Sequence, residues 1–345
     1  MSKLFLVFTG ILLIVSGTIF ADENIFIQYK TRDGLSFNNV DWLAEDDEGL
    51  IYACTNLGLN VFNGTDFTVY NQYNTSGFSN KVSVVLPIKK GFLLIGTTDK
   101  GLFLYNKYKE EITPIKTKVN NIDRLLSVSI ISKDTLGNIW LGTETGELYC
   151  SEETQLFTFI HQNRSTVWTN VAQLSGPIDA LCSIGDNTFA GDNSEKITRI
   201  KKVADEYIID FPLKISNVTK VYAFSAYNNS LLIGTDKGLY RLAHLNDLNY
   251  NRTLRIDSPW SLHNHIIRSI SVHSHNIWIG TEGNGLFKLN LDKPEVSVEQ
   301  FVYSQNKRNS LNSDYILTSL IDSNDNLWLG TWFGGINMMD LSEAS

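Results

Sequence analysis

Cysteine is scarce in this chain. Three occur in 345 residues, Cys54, Cys150 and Cys182, an odd number at wide spacing, which excludes a disulfide framework and the paired spacing of a zinc site. Each lies in an apolar, strand-like run where a thiol serves as a small hydrophobe. Proline is also sparse, with only 6, while 43% of the residues are hydrophobic, so a large packed core can form and disorder is excluded. Positive charge is in deficit: 29 Lys and Arg face 37 Asp and Glu, for a net charge of -8. Such a surface repels phosphate backbones, and no nucleic-acid partner is expected. Neither a Gly-x-Ser-x-Gly elbow nor a His-Glu-x-x-His zinc helix occurs. After residue 21 no apolar run can span a bilayer, so no membrane span is expected in the mature chain.

What is present begins with residues 1–21. Lys3 supplies a positive start, Leu4 to Ile19 form an apolar stretch, and Ile19-Phe20-Ala21 precedes the acidic pair Asp22-Glu23. This reads as a secretory signal peptide cleaved after Ala21; the rival reading is an uncleaved anchor near the short limit for a span. Gly, Ser and Thr near the end of the stretch favour cleavage. The absence of a nearby cysteine argues against a lipid anchor. A periplasmic or extracellular location follows for residues 22–345.

Those residues repeat. A Gly-Thr-x-x-Gly-Leu core recurs with Thr55, Thr97, Thr143, Asp192, Thr235, Thr281 and Thr331 at the aligned position, 42 to 50 residues apart, a period typical of propellers. The fourth copy, at Gly191-Asp192, is degenerate. Each copy runs through an apolar strand such as 316–321, an Asp/Asn/Gly turn such as 134–138, and a second strand such as Ile139-Trp140-Leu141. The glycine–threonine turn then leads to a third strand and a more polar fourth. The expected fold is all-β: a single seven-bladed β-propeller with four antiparallel strands per blade. The seventh copy lacks its fourth strand, while Ile25-Phe26-Ile27-Gln28-Tyr29 stands unassigned before the first. Joining the two closes the ring and removes exposed edges. At the shared register of Trp140, Trp278 and Trp328 the indoles are expected to pack between blades.

The pattern Asp-x-x-Gly-Asn-Ile-Trp-Leu-Gly-Thr-x-x-Gly at 134–146 resembles the two-component regulator propeller repeat, which builds the periplasmic sensor regions of hybrid two-component systems, especially in Bacteroidota. That resemblance implies recognition of an oligosaccharide or a similar small ligand outside the cell, coupled to kinase and DNA-binding output inside. No kinase or helix-turn-helix segment is encoded in these 345 residues. The chain is therefore expected to be a receptor head, either a truncated sensor or a freestanding relative. The alternative is a docking scaffold for an envelope protein, as related propellers serve in type IX secretion. A glycan hydrolase or lyase ranks third, because no catalytic motif surrounds the acids Asp41, Glu45 and Asp179 on the innermost strands. No enzyme activity and no cofactor are expected.

In a propeller the Gly-Thr turns share one face with the links between blades, and ligand sites favour that mouth. The seventh turn departs from the others by carrying Trp332-Phe333, a stacking platform for a sugar ring. The segment 162–177 reads as the longest link, with Arg164 and Trp168 in it. Other links contribute Arg32, Arg124, Trp260, His263, His265 and Tyr315. For the aromatic turn and the long link, packing over a neighbouring blade is an equal alternative. His263 and His265 have no partner carboxylate or cysteine, and Asp322-x-Asn324-x-Asn326 lacks the acidic twelfth ligand of a calcium loop, so no metal is expected.

Overall fold

A computed structural model describes residues 26–89, 91–156, 165–204, 206–242, 253–255, 262, 264–290 and 297–342. Seven sheets are present among the described residues, each hydrogen-bonded from its innermost to its outermost strand and antiparallel except for one parallel pair at the outer edge of blade three. Blade one comprises Val40–Glu45, Ile51–Thr55, Gly58–Phe62 and Phe67–Tyr70. The other innermost strands are Val82–Lys89, Val128–Lys133, Ala180–Ile184, Val221–Tyr227, Ile267–His273 and Ile316–Ile321. The proposed signal peptide lies outside the described residues.

Ring closure follows the pattern read from the termini. Ile27–Tyr29 pairs antiparallel with the third strand of blade seven, Gly335–Asp340, in the register Ile27 with Met338 and Tyr29 with Ile336. Tyr29 then stacks on Trp328 at 5.9 Å, and Phe26 meets Phe301 edge-on at the same distance. The first strand thus supplies both main-chain pairing and apolar contact to the last blade.

The core is not one cluster but seven, each between two neighbouring blades. Ile130, Trp140 and Leu148 of blade three pack with Leu181 and Ala190 of blade four. Val40, Leu43 and Phe62 of blade one pack with Trp328 and Ile336 of blade seven. The three recurring tryptophans are buried. Full burial of one such aliphatic or aromatic side chain contributes about 1.5–3 kcal/mol, so each interface is a substantial part of stability.

The first glycine of the repeated turn has a packing cause. A Cβ on Gly142 would lie 2.7 Å from the Ile178 Cβ of the next blade, and one on Gly330 would lie 2.7 Å from the Val40 carbonyl across the seam. The threonine beside it is fully buried and ties the turn: Thr331 Oγ1 donates to the Gly335 carbonyl at 2.8 Å.

Blade three departs from four strands. Its sheet has six, because Thr117–Val119 and Ile122–Arg124 form a hairpin that joins its outer edge. That hairpin comes from the link after blade two. The reading of 162–177 as a link is also corrected: Thr166–Gln173 is the fourth strand of blade three, its residues drawn into the sheet by pairing with Glu147–Glu152.

Candidate functional site

Each innermost strand is entered through a β-branched residue, and the residue after it faces the axis. From blade one to seven these are Asp41, Ser83, Ser129, Asp179, Tyr222, Arg268 and Leu317. In every blade but the fourth, strand pairing shifts register at this residue, as between Val40 and Trp42 or between Ile267 and Ser269. A bulge of this kind re-aims a side chain.

The ring divides into two arcs. Ser83 Oγ donates to the Val128 carbonyl and Ser129 Oγ to the Ile178 carbonyl, both at 2.7 Å, so these hydroxyls tie each blade to the next. In blades four, five, six and one the position holds larger, charged or aromatic groups instead. Lys220 Nζ lies 2.6 Å from Asp179 Oδ2 and 4.9 Å from the centre of the Tyr222 ring. The Arg268 guanidinium lies 4.6 Å from the same ring and 3.6 Å from Glu282 Oε2. Two cations therefore share one aromatic ring, and each has its own acid.

Asp41 and Glu144 differ from these pairs. Neither carboxyl group makes a hydrogen bond or ion pair among the described residues. Both side chains are exposed and line the mouth of the axial cavity. Burial raises the pKa of Asp41, with Arg268 opposing the rise. At Glu144 burial again raises it, the charge of Asp179 adds to the effect, and Lys220 opposes it. Below the ring, Leu43, Leu181, Phe224 and Ile270 line an apolar floor. The result is a cup of about 410 Å³, apolar at its base and polar at its rim.

An aromatic cluster stands on the same face. Trp332 and Phe333 stack at 5.3 Å with an interplanar angle of 14°, and Tyr315 meets Trp332 edge-on at 5.9 Å. All three are exposed, Phe333 to 71%. Phe333 has a φ of 63°, a region bulky residues avoid, and its N–H donates to Asn39 Oδ1 at 2.8 Å across the ring seam. Tyr315 bridges Glu282 of blade six, the acid that pairs with Arg268, so the platform adjoins the cup.

The remaining sequence candidates scatter. Trp168 is withdrawn as a ligand contact: it is 1% exposed, packed with Tyr149 and Val119, and its indole N–H donates to Thr166 Oγ1 at 3.0 Å. Its strand carries it into the core between blades two and three. Arg124 lies on the outermost strand of blade three, five strands from the innermost. Arg32 is exposed in a short 3-10 turn, 3.6 Å from Asp33. His265 stacks on Phe287 at 5.7 Å. Arg164, Trp260 and His263 lie outside the described residues. Tyr222, Lys220 and Arg268 were missed by motif reading, although the position after each strand's first β-branched residue would have found two of them. No group of three or more His, Cys, Asp or Glu among the described residues is placed to hold a metal ion.

Residues 310–333 match the family described as two component regulator propeller. That segment carries the family's repeat. In structure it is similar to the extracellular domain of the putative hybrid two component system BT3049 from B. thetaiotaomicron, at TM-score 0.74 and 21% identity over 92% of this chain and 42% of that one. The extracellular domain of BT4673 from the same organism gives 0.70 and 19%, over 92% and 40%. PorZ, a surface component of the type-IX secretion system of Porphyromonas gingivalis, gives 0.66 and 17%, over 89% and 47%. The chain thus spans less than half the length of these neighbours, and at such identities the likeness establishes the propeller fold. No curated protein sequence matches. No helix among the described residues is long and apolar enough to cross a membrane.

Proposed function

We propose that this two-component regulator propeller is a ligand-binding, sensor-type head that works in the periplasm or outside the cell. Its ligand is an oligosaccharide or a similar polyhydroxylated molecule, bound on the face that carries the turn of blade seven. The observation that carries this reading is the exposed stack of Trp332 on Phe333, with Tyr315 against its edge. Flat aromatic rings held open to water can bury the apolar faces of a partner, and Phe333 is held open in a left-handed backbone that bulky residues avoid. Similarity to extracellular domains of putative hybrid two-component systems supports a sensing role. The reading assigns binding without turnover.

A glycan library screened by thermal shift and calorimetry tests it. A bound oligosaccharide should raise the melting temperature, and Trp332→Ala should abolish that rise while leaving the unliganded protein's melting almost unchanged. If no glycan shifts melting but one envelope protein is recovered by pull-down, the docking reading gains, for which the likeness to PorZ is the supporting observation. Cleavage of a polysaccharide, lost on one acid-to-amide change, would replace both with an enzyme.

A further inference from the structure

Two links hold the aromatic turn, one to each ring. The link before blade seven fixes Trp332: its N–H donates to the Tyr315 carbonyl at 2.9 Å, and its carbonyl accepts from Ser313 Oγ at 3.0 Å. Phe333 is held from the other side of the seam. Its N–H donates to Asn39 Oδ1 at 2.8 Å, and the Gly335 N–H donates to the Asn38 carbonyl at 2.9 Å. The Asn39 side chain makes no other hydrogen bond among the described residues.

What Asn39 holds is a phenylalanine in a glycine's place. The turn of blade six runs from Thr281 to Gly285 and that of blade seven from Thr331 to Gly335, so the two have one length. Two residues after the threonine, blade six carries Gly283 with a φ of 93°, and blade seven carries Phe333 with a φ of 63°. A bulky residue stays in the left-handed region only where its surroundings fix it there. The Asn39 oxygen supplies that contact, and the ring it presents is stacked on Trp332 and open to water.

Asn39 is in turn joined to the strand that closes the ring. It ends the loop that leads from Ile27–Tyr29 into blade one. Within this loop the Thr31 N–H donates to Asn38 Oδ1 at 3.0 Å, the Lys30 N–H to Asp33 Oδ2 at 2.9 Å and the Gly34 N–H to the Thr31 carbonyl at 3.2 Å. Leu35 anchors it, buried in one cluster with Phe62 and Trp328. These contacts make the loop one piece with the closing strand.

We propose that Asn39 is a positioning residue of the ligand site, and that ring closure by the N-terminal strand completes that site. This rests on the sensor reading above, and it makes the platform a joint property of the first and last blades. Trp332 is placed by its own blade and the link before it, whereas the ring beside it is presented by the link into blade one. Because Phe333 is ordered before the ligand arrives, binding does not have to supply that order.

Two variants at one position test this. Asn39→Ala removes the acceptor, while Asn39→Asp keeps an oxygen in the same place. In the full chain without ligand, amide exchange followed by NMR should show the Phe333 N–H protected in the native protein and in Asn39→Asp, and exchanging several-fold faster in Asn39→Ala. All three proteins should melt alike. Calorimetric titration with neutral hexasaccharides of gluco, manno, galacto and xylo configuration should show affinity lowered about three- to tenfold in Asn39→Ala and restored in Asn39→Asp. An unprotected Phe333 amide in the native protein, or equal losses of affinity in the two variants, would overturn the proposal. If Trp332→Ala abolishes binding while both Asn39 variants bind as the native protein does, the positioning role falls and the sensor reading stands. If the native protein binds none of the hexasaccharides, both fall.

Discussion

On the face opposite the cup, Asp134 accepts hydrogen bonds from the N–H groups of Leu136 and Asn138, the Asn138 amide and the Trp140 indole, at 2.8 to 3.0 Å. Asp322 is held in the same way by Asn324, Asn326 and the Trp328 indole. Asp46 replaces the indole with the Tyr52 hydroxyl and adds the Lys107 ammonium at 2.7 Å. At the cup, Asp41 and Glu144 have no such donors among the described residues. The same carboxyl chemistry is thus a structural hub at the turn within a blade and an exposed, unpaired group at the axis. The difference teaches that burial among donors, not residue type, makes an acid part of the fold.

Four changes test that contrast, in falling order of effect. Asp322→Ala should destabilise by about 2–4 kcal/mol, because it strips a turn of its acceptor and leaves the Trp328 indole N–H buried without a partner; denaturant unfolding measures it. Trp328→Phe should cost about 1–3 kcal/mol more than Trp278→Phe. The Trp278 indole N–H, in a blade whose two-residue turn at Ser274-His275 holds no aspartate, already has no partner. Equal losses at the two tryptophans would break the comparison.

The third change uses pH. Burial pushes the pKa of Asp46 up, but the Lys107 ammonium, the N–H groups of Glu48 and Leu50 and the Tyr52 hydroxyl outweigh it and hold the value below the ordinary carboxylate range. A folded-state pKa below the unfolded one contributes stability that is present at neutral pH and lost as pH falls through the folded value. Asp46→Asn should therefore lower the melting temperature at about pH 7, with the gap narrowing towards about pH 3.

Asp41 and Glu144 carry the opposite sign. Their folded pKa values are raised, so the folded state holds its protons longer and stability falls as pH rises through the carboxylate range. Asp41→Asn should raise the melting temperature slightly at neutral pH, and the gain should vanish in acid. A loss of stability instead would mean that Asp41 serves the fold.

Much of the architecture was legible in the sequence because each blade repeats one local rule. Gly142 and Gly330 are glycine because the next blade's Ile178 and Val40 lie against them, and that requirement recurs wherever blades meet. The segment 25–29 was identifiable as the missing strand because the seventh copy stops after its third, and the strand forms at Ile27–Tyr29. Blade three was misread where it broke the rule: the hairpin at 117–124 displaced the expected link, and Trp168 went into the core with its strand.

By itself, then, the sequence determined the number of blades, the turns between their strands and the seam that closes them, since all three depend on neighbours along the chain or one repeat away. Only the tertiary structure decided which residues share the axis. A side chain's direction there is set by a bulge at the start of every inner strand but the fourth, and a bulge leaves no period in the sequence. Asp41, Glu144, Asp179, Tyr222 and Arg268 come from five separate blades, and closing the ring is what brings them to one cup.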